Sequence, residues 1–184
     1  MNCPVCRTSS LRRVSLDDGL PALACSSCGG HWLGAADYHA WRGRTGDAPL
    51  PATNTSGEVQ VSDVQGVKVC PECRRLMVRY RVGRGVDFRL DQCGACSGMW
   101  FDRNEWEALR QQGLHLQLNL IFTEPWQDRA RRDESRKVME GIYLKRFGDD
   151  YEEVKRMRQW LQAHPERMSI LAFLMDDDPY SGSR

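Results

Sequence analysis

Every cysteine of this 184-residue chain belongs to one of four Cys-x₂-Cys pairs. The pairs are Cys3–Cys6, Cys25–Cys28, Cys70–Cys73 and Cys93–Cys96, with eighteen residues between the first two and nineteen between the last two. Two cysteines three apart in a tight turn can aim both sulfurs at one ion. A hairpin between two such turns then closes four thiolates into a tetrahedron. Four soft ligands in that array suit Zn²⁺, so the chain is expected to hold two Zn²⁺ ions, one per set of four cysteines. The alternative, redox-active pairs, needs the reactive cysteine at a helix N-terminus, whereas the predicted helices start several residues after Cys28 and Cys96. An iron–sulfur cluster is likewise the less favoured occupant.

A shift of 67 to 68 residues lays the first cysteine set on the second, and the likeness runs on past the last cysteine. "CGGHWLGAADYHAW" (Cys28–Trp41) matches "CSGMWFDRNEWEAL" (Cys96–Leu109), with Gly30 on Gly98, Trp32 on Trp100 and Asp37 on Glu105. This is an internal duplication, and the copies should fold alike. Between the pairs each copy alternates as a hairpin. In the second copy Leu76, Val78, Tyr80 and Val82 alternate with Met77, Arg79 and Arg81, and "GRG" (Gly83–Gly85) makes the turn. A three-residue turn pairs Val82 with Val86, which sets Tyr80 opposite Phe88, Arg81 opposite Asp87 and Arg79 opposite Arg89. Asp102 and Glu105 have capping-box spacing for a helix over about 103–112 that Gly113 stops. Gly34 replaces Asp102 in the first copy, so its helix, about 35–42, is more weakly capped.

Four regions follow: a ribbon over 1–45, a linker over 46–67, a second ribbon over 68–113 and a helical segment over 114–184. The linker core, "GDAPLPATNTSG" (Gly46–Gly57), is Gly-, Pro- and Thr-rich and should leave the ribbons independent. Cysteine disappears after Gly113. A helix is expected from Thr123-Glu124-Pro125 to Phe147, a second with Tyr151, Val154, Met157 and Leu161 on one face, and a third from Pro165 to about Met175. The aromatic residues there, Trp126, Tyr143, Phe147, Trp160 and Phe173, have the spacing of core residues. The fold class is therefore a small metal-stabilised α+β protein, with two tandem ribbons and an α-helical C-terminal segment.

Hydrophobic residues are 41% and charged residues 28% of the chain, a globular balance. The stretch Leu114–Phe122 is too short and polar to cross a bilayer. "MNCPVC" leaves no room for a leader before the first pair, which points to a cytoplasmic address, where paired cysteines bind metal more often than they oxidise. Eight thiolates and two Zn²⁺ ions take the formal charge from +1 to about −3. Net charge therefore does not argue for nucleic acid, and any such contact rests on a local patch. Four cysteines close the coordination shell, so the metal is expected to be structural and the protein non-catalytic. His31, beside Cys28, has Met99 as its counterpart and is not required as a ligand. A module of about 45 residues buries little surface, and bound zinc offsets that deficit.

These residues resemble the bacterial zinc ribbons of the transcription factor IIB type, whose pattern is CPxC, a hairpin, then C-x-x-C-x-G-x-W and a short helix capped by an acid. "CPVC…CSSCGGHWL" and "CPEC…CGACSGMWFDRNEWEAL" both carry it, over roughly 1–43 and 69–113, and Gly34 departs from it. The resemblance implies that Cys3, Cys6, Cys25, Cys28, Cys70, Cys73, Cys93 and Cys96 ligate the metal, with Trp32 and Trp100 packed beside the sites. It also suggests a transcription-associated adaptor or regulator. Arg75, Arg79, Arg81, Arg84 and Arg89 crowd the second hairpin and are the candidate contacts for nucleic acid or an acidic protein. An opposed arginine pair is destabilising unless something anionic lies over it. Protein, nucleic acid or both remain open as partners; neither a membrane nor a small-molecule substrate is expected. The alternative is a protein-interaction or chaperone-like module with purely structural zinc.

Overall fold

The computed structural model describes residues 1–46 and 60–181, which form two compact units, Met1–Glu134 and Ser135–Arg184. Most of the expected linker and the last three residues of the tail lie outside the described residues. In the first unit, β1 (Leu11–Asp17) and β2 (Leu20–Cys25) form one hairpin, and β4 (Met77–Gly83) and β5 (Val86–Cys93) form the other. Each is followed by a short strand, β3 (His31–Leu33) or β6 (Met99–Phe101), and a helix, α1 (Ala35–Thr45) or α2 (Glu105–Gln111).

The second hairpin corrects the expected register. Gly83 pairs with Val86 across a two-residue turn in which Arg84 and Gly85 have φ of 53° and 84°. Such left-handed turns match the twist of paired strands and are preferred for two-residue loops. A bulge between Arg81 and Gly83 absorbs the extra residue, so Tyr80 faces Leu90, Arg81 faces Arg89 and Arg79 faces Asp91. The first hairpin carries its bulge at the equivalent place, between Ser15 and Asp17.

The two ribbons are joined into one six-stranded sheet of order β1-β2-β3-β6-β5-β4. At its centre β3 and β6 run antiparallel, with Trp32 opposite Trp100. The two copies are thus related by an approximate twofold through this pair, and the linker does not keep them apart. One face of the sheet carries the main core, including Leu20, Leu33, Trp41, Phe101, Trp106 and Leu109. The stretch Leu114–Ile121 closes it as a 3₁₀ turn (Leu114–Gln117) and α3 (Leu118–Ile121), with Leu114, Leu118 and Ile121 fully enclosed. Tyr38 ties the piece down: its hydroxyl donates to His115 C=O at 3.0 Å and accepts from Leu118 N–H at 3.1 Å. Residues 114–134 therefore belong with the ribbons, not with a separate helical segment.

The long helix α4 (Glu124–Phe147) ends at Gly148, whose φ of 55° supplies the stop that the sequence predicts. The second unit holds the later turns of α4, then α5 (Tyr151–Ala163) and α6 (Arg167–Met175). Glu140 on α4 accepts from Tyr151 Oη at 3.1 Å and Lys155 Nζ at 3.0 Å. Its apolar residues do not make the core that their spacing suggested: Tyr143 is 40%, Phe173 49% and Trp160 55% exposed. Among the described residues, no helix is long and apolar enough to cross a membrane.

Candidate metal centres

Four turns of one design build the two sites. After Cys6 and Cys73 the chain enters the left-handed region at Arg7 and Arg74, both at φ 64°. After Cys28 and Cys96 it does so at Gly29 (φ 74°) and Ser97 (φ 56°). Each of these residues returns its N–H to the carbonyl of the first cysteine of its pair, at 2.8 to 3.0 Å. Cys6 and Cys73 N–H groups also point at Cys3 and Cys70 Sγ, at 3.3 and 3.4 Å. The sequence shows a left-handed residue only at Gly29; the arginines and the serine gave no such signal.

The sulfurs converge as the spacing predicts. All four in each set lie within 4.8 Å of one another, as free thiols. Cys3–Cys28 is 3.6 Å and Cys25–Cys6 3.9 Å; in the second set Cys70–Cys96 is 3.6 Å, Cys73–Cys93 3.3 Å and Cys73–Cys96 4.0 Å. A tetrahedron with sulfur 2.3 Å from zinc has edges of about 3.8 Å. The donor set and its dimensions therefore fit Zn²⁺, and the chain has two sites for it.

The charge state of the sulfurs points the same way. Burial opposes ionisation of Cys25, but the N–H groups of Cys28 and Ser27 and the thiols of Cys28 and Cys3 lower it to about 6. In the second set burial likewise opposes ionisation of Cys93, and the N–H groups of Cys96 and Ala95 bring it to about 7. Cys28 and Cys96 are pushed up instead, by burial and then by the neighbouring sulfurs. One thiolate forms readily in each set; four together need a cation among them.

Trp32 and Trp100 pack in one cluster with Cys3, Cys25, Cys70 and Cys93. Each indole does so by crossing to the other ribbon. A Cβ on Gly98 would lie 2.2 Å from Trp32 Cζ2, and one on Gly30 would lie 2.3 Å from Trp100 Cζ2. The glycine of C-x-G-x-W is therefore the seat for the partner copy's tryptophan. Each site depends on the other ribbon for part of its wall.

Trp100 Nε1 donates to Asp102 Oδ1 at 2.7 Å. The other oxygen of Asp102 accepts from Val64 N–H at 2.8 Å and lies 3.2 Å from Lys68 Nζ. This corrects the capping-box expectation by half: Glu105 accepts from Asp102 N–H at 2.8 Å, but the Asp102 side chain is diverted into the core. Asn104 takes the N-cap position of α2 without a side-chain cap bond. Lys68, only 3% exposed, also pairs with Asp91 at 2.7 Å. The carboxyl groups of Asp63, Asp102 and Glu105 converge here; Lys68 supplies the cation for Asp102, Arg79 pairs with Asp63, and Glu105 is held by Asp102 N–H.

The hairpin arginines are largely engaged within the chain. Arg79 pairs with Asp63 and hydrogen-bonds Gln65 at 2.6 Å, and Arg81 pairs with Glu134. Arg89 Nη2 lies 3.8 Å from the second Glu134 oxygen, and Arg84 stacks over Trp126 at 4.7 Å. The anion that an opposed arginine pair demands is thus Glu134, set over Arg81 and Arg89 by α4. Arg75 is exposed with no acidic partner among the described residues, as are Arg7, Arg12, Arg13 and Arg74. Sequence reasoning counted Arg74 with the second hairpin's arginines and passed over Arg7, Arg12 and Arg13 because no cluster marked them.

A model of the family described as the transcription factor zinc-finger, the TFIIB zinc ribbon, matches residues 2–42 and 69–112. No curated protein and no solved structure matches the chain.

Proposed function

Because this chain carries two tandem TFIIB-type zinc ribbons, we propose that it is a non-catalytic, transcription-associated adaptor that works in the cytoplasm through contacts with other proteins. The observation that carries this reading is the convergence of four cysteines at each site, since a metal held by all four would keep no open position for substrate or water. The zinc then serves architecture, and activity resides in surfaces.

The arginines favour protein over nucleic acid. A phosphate backbone would have to compete with Asp63 for Arg79 and with Glu134 for Arg81 and Arg89. Isolated exposed arginines such as Arg75 suit a carboxylate on a shaped protein surface as well as they suit phosphate. A chaperone-like role is the second reading, and the exposed apolar side chains of α5 and α6 favour it, Met157, Trp160 and Leu174 among them.

Affinity capture with the zinc-loaded chain, with and without nuclease, tests the reading. Transcription proteins retained after nuclease support it. Partners lost with the nucleic acid would replace it by direct nucleic-acid binding, and indiscriminate capture of unfolded proteins would favour the chaperone-like role.

A further inference from the structure

Strands β1 and β4 are the two edges of the sheet, and the chain finishes them differently. Leu11 donates its N–H to Met1 C=O, outside the hairpin, although Leu11 also faces Cys25 on β2. By strand alternation, Leu11, Arg13 and Ser15 turn their N–H and C=O groups away from β2. Met77 and Arg81 do the same on β4, where Met77 N–H bonds Lys68 C=O.

On β4 the outward row is capped on both sides of Arg79, at Met77 and at Arg81. Gln127 Oε1 accepts from Arg81 N–H at 3.0 Å, and its Nε2 donates to Arg81 C=O at 2.8 Å. Trp126 Nε1 adds a bond to Val82 C=O at 2.8 Å. Ser15 holds the place of Arg81 in the first hairpin, opposite Pro21 as Arg81 is opposite Arg89. Among the described residues, no side chain bonds the outward backbone groups of Arg13 or Ser15. An uncovered edge is a template for another strand.

We propose that β1 is a docking edge that takes an extended acidic segment of a partner protein as an added strand. The inference rests on the protein-adaptor reading and names the kind of segment bound. The row of backbone donors and acceptors supplies affinity. Arg12 and Arg13, both exposed and without acidic partners, fall on opposite faces of the strand, so the incoming segment should carry adjacent acids. A second copy of β1 is disfavoured, because its arginines would meet these. Nucleic acid could use the arginines but would leave the backbone row unpaired.

The probe is a labelled decapeptide of alternating valine and threonine with two central glutamates, titrated onto the zinc-loaded full chain by fluorescence anisotropy. Saturable binding is expected, with exchange of the Arg13 and Ser15 amide hydrogens slowed in the complex. Methylating alternate backbone nitrogens of the peptide, on the edge that meets β1, should weaken binding about tenfold or more, and so should replacing its glutamates by lysine. Arg12→Gln with Arg13→Gln should cost a similar factor while zinc content and circular dichroism stay unchanged. Equal binding of the methylated and unmethylated peptides overturns strand addition. So does a single-stranded oligonucleotide that binds through Arg12 and Arg13 when the peptide does not. If nuclease-resistant partners are captured and the peptide fails to bind, the adaptor reading stands and the docking edge falls.

Discussion

Ser97 shows what a single residue costs in a metal-binding turn. It sits at φ 56°, where its counterpart Gly29 sits at 74°. A left-handed conformation costs a residue with a Cβ roughly 1–2 kcal/mol, so Ser97→Gly should stabilise the zinc-loaded protein by about 1 kcal/mol in denaturant titration. Glu105 is the second case. It is 1% exposed, and burial pushes its carboxyl up to about 9, against the opposing hydrogen bond from Asp102 N–H. Its folded pKa is above its unfolded one, so its contribution is fullest below the ordinary carboxylate range and is lost as pH rises towards 9. Glu105→Gln keeps an acceptor for Asp102 N–H and removes the titration. Its stability advantage over the native chain should grow by about 1.4 kcal/mol per pH unit between about pH 6 and pH 8. An advantage that does not change with pH would mean that Glu105 is ionised in the fold.

Among the elements, the short strands β3 and β6 matter most for their length. Three residues each, they join two hairpins into one sheet and set Trp32 and Trp100 side by side. Gly98→Ala would drive a Cβ to 2.2 Å from Trp32 Cζ2, with the indole held by its own packing. The substitution should cost about 3 kcal/mol, as overpacking of a rigid core does at its upper range. Chelator challenge should then strip zinc more easily from both sites, the first included, although Gly98 belongs to the second ribbon. A loss confined to the second site would mean that the indole moves aside freely. The hairpins carry a contrasting lesson. Their alternation is plain in the sequence, yet the register of β4 on β5 was not, because "GRG" fits a three-residue loop as readily as a two-residue turn with a bulge.

At the scale of the molecule, metal content and cooperativity follow from the same sheet. Elemental analysis should find two zinc ions per chain, since each set of four sulfurs is complete by itself. Cys93→Ser removes a buried ligand from the second site. A structural zinc site contributes on the order of 10 kcal/mol to folding, so the second ribbon should unfold without it. Because β6 supports β3, and Trp100 packs beside Gly30, the first site should also weaken, giving less than one retained zinc per chain under mild chelation. Full retention of one zinc would restore the picture of independent modules. The division between compact units falls elsewhere, after Glu134, within α4.

The sequence by itself determined the ligands, the metal and the duplication. Cysteine spacing is a local constraint: a Cys-x₂-Cys turn and a hairpin bring four sulfurs together whatever surrounds them. The helix stops at Gly113 and Gly148 were legible for the same reason, since a residue at φ 67° or 55° is a property of a few neighbouring bonds. What the tertiary structure alone decided involves partners far apart in the chain. The pairing of β3 with β6, the seating of each tryptophan on the other copy's glycine and the recruitment of Leu114–Ile121 into the core leave no local trace. Nor does the neutralisation of Arg81 and Arg89 by Glu134, some fifty residues away, which a reading of charge along the sequence could only record as an excess. Geometry within a turn is written in adjacent residues; complementarity between surfaces exists only once the chain has brought them together.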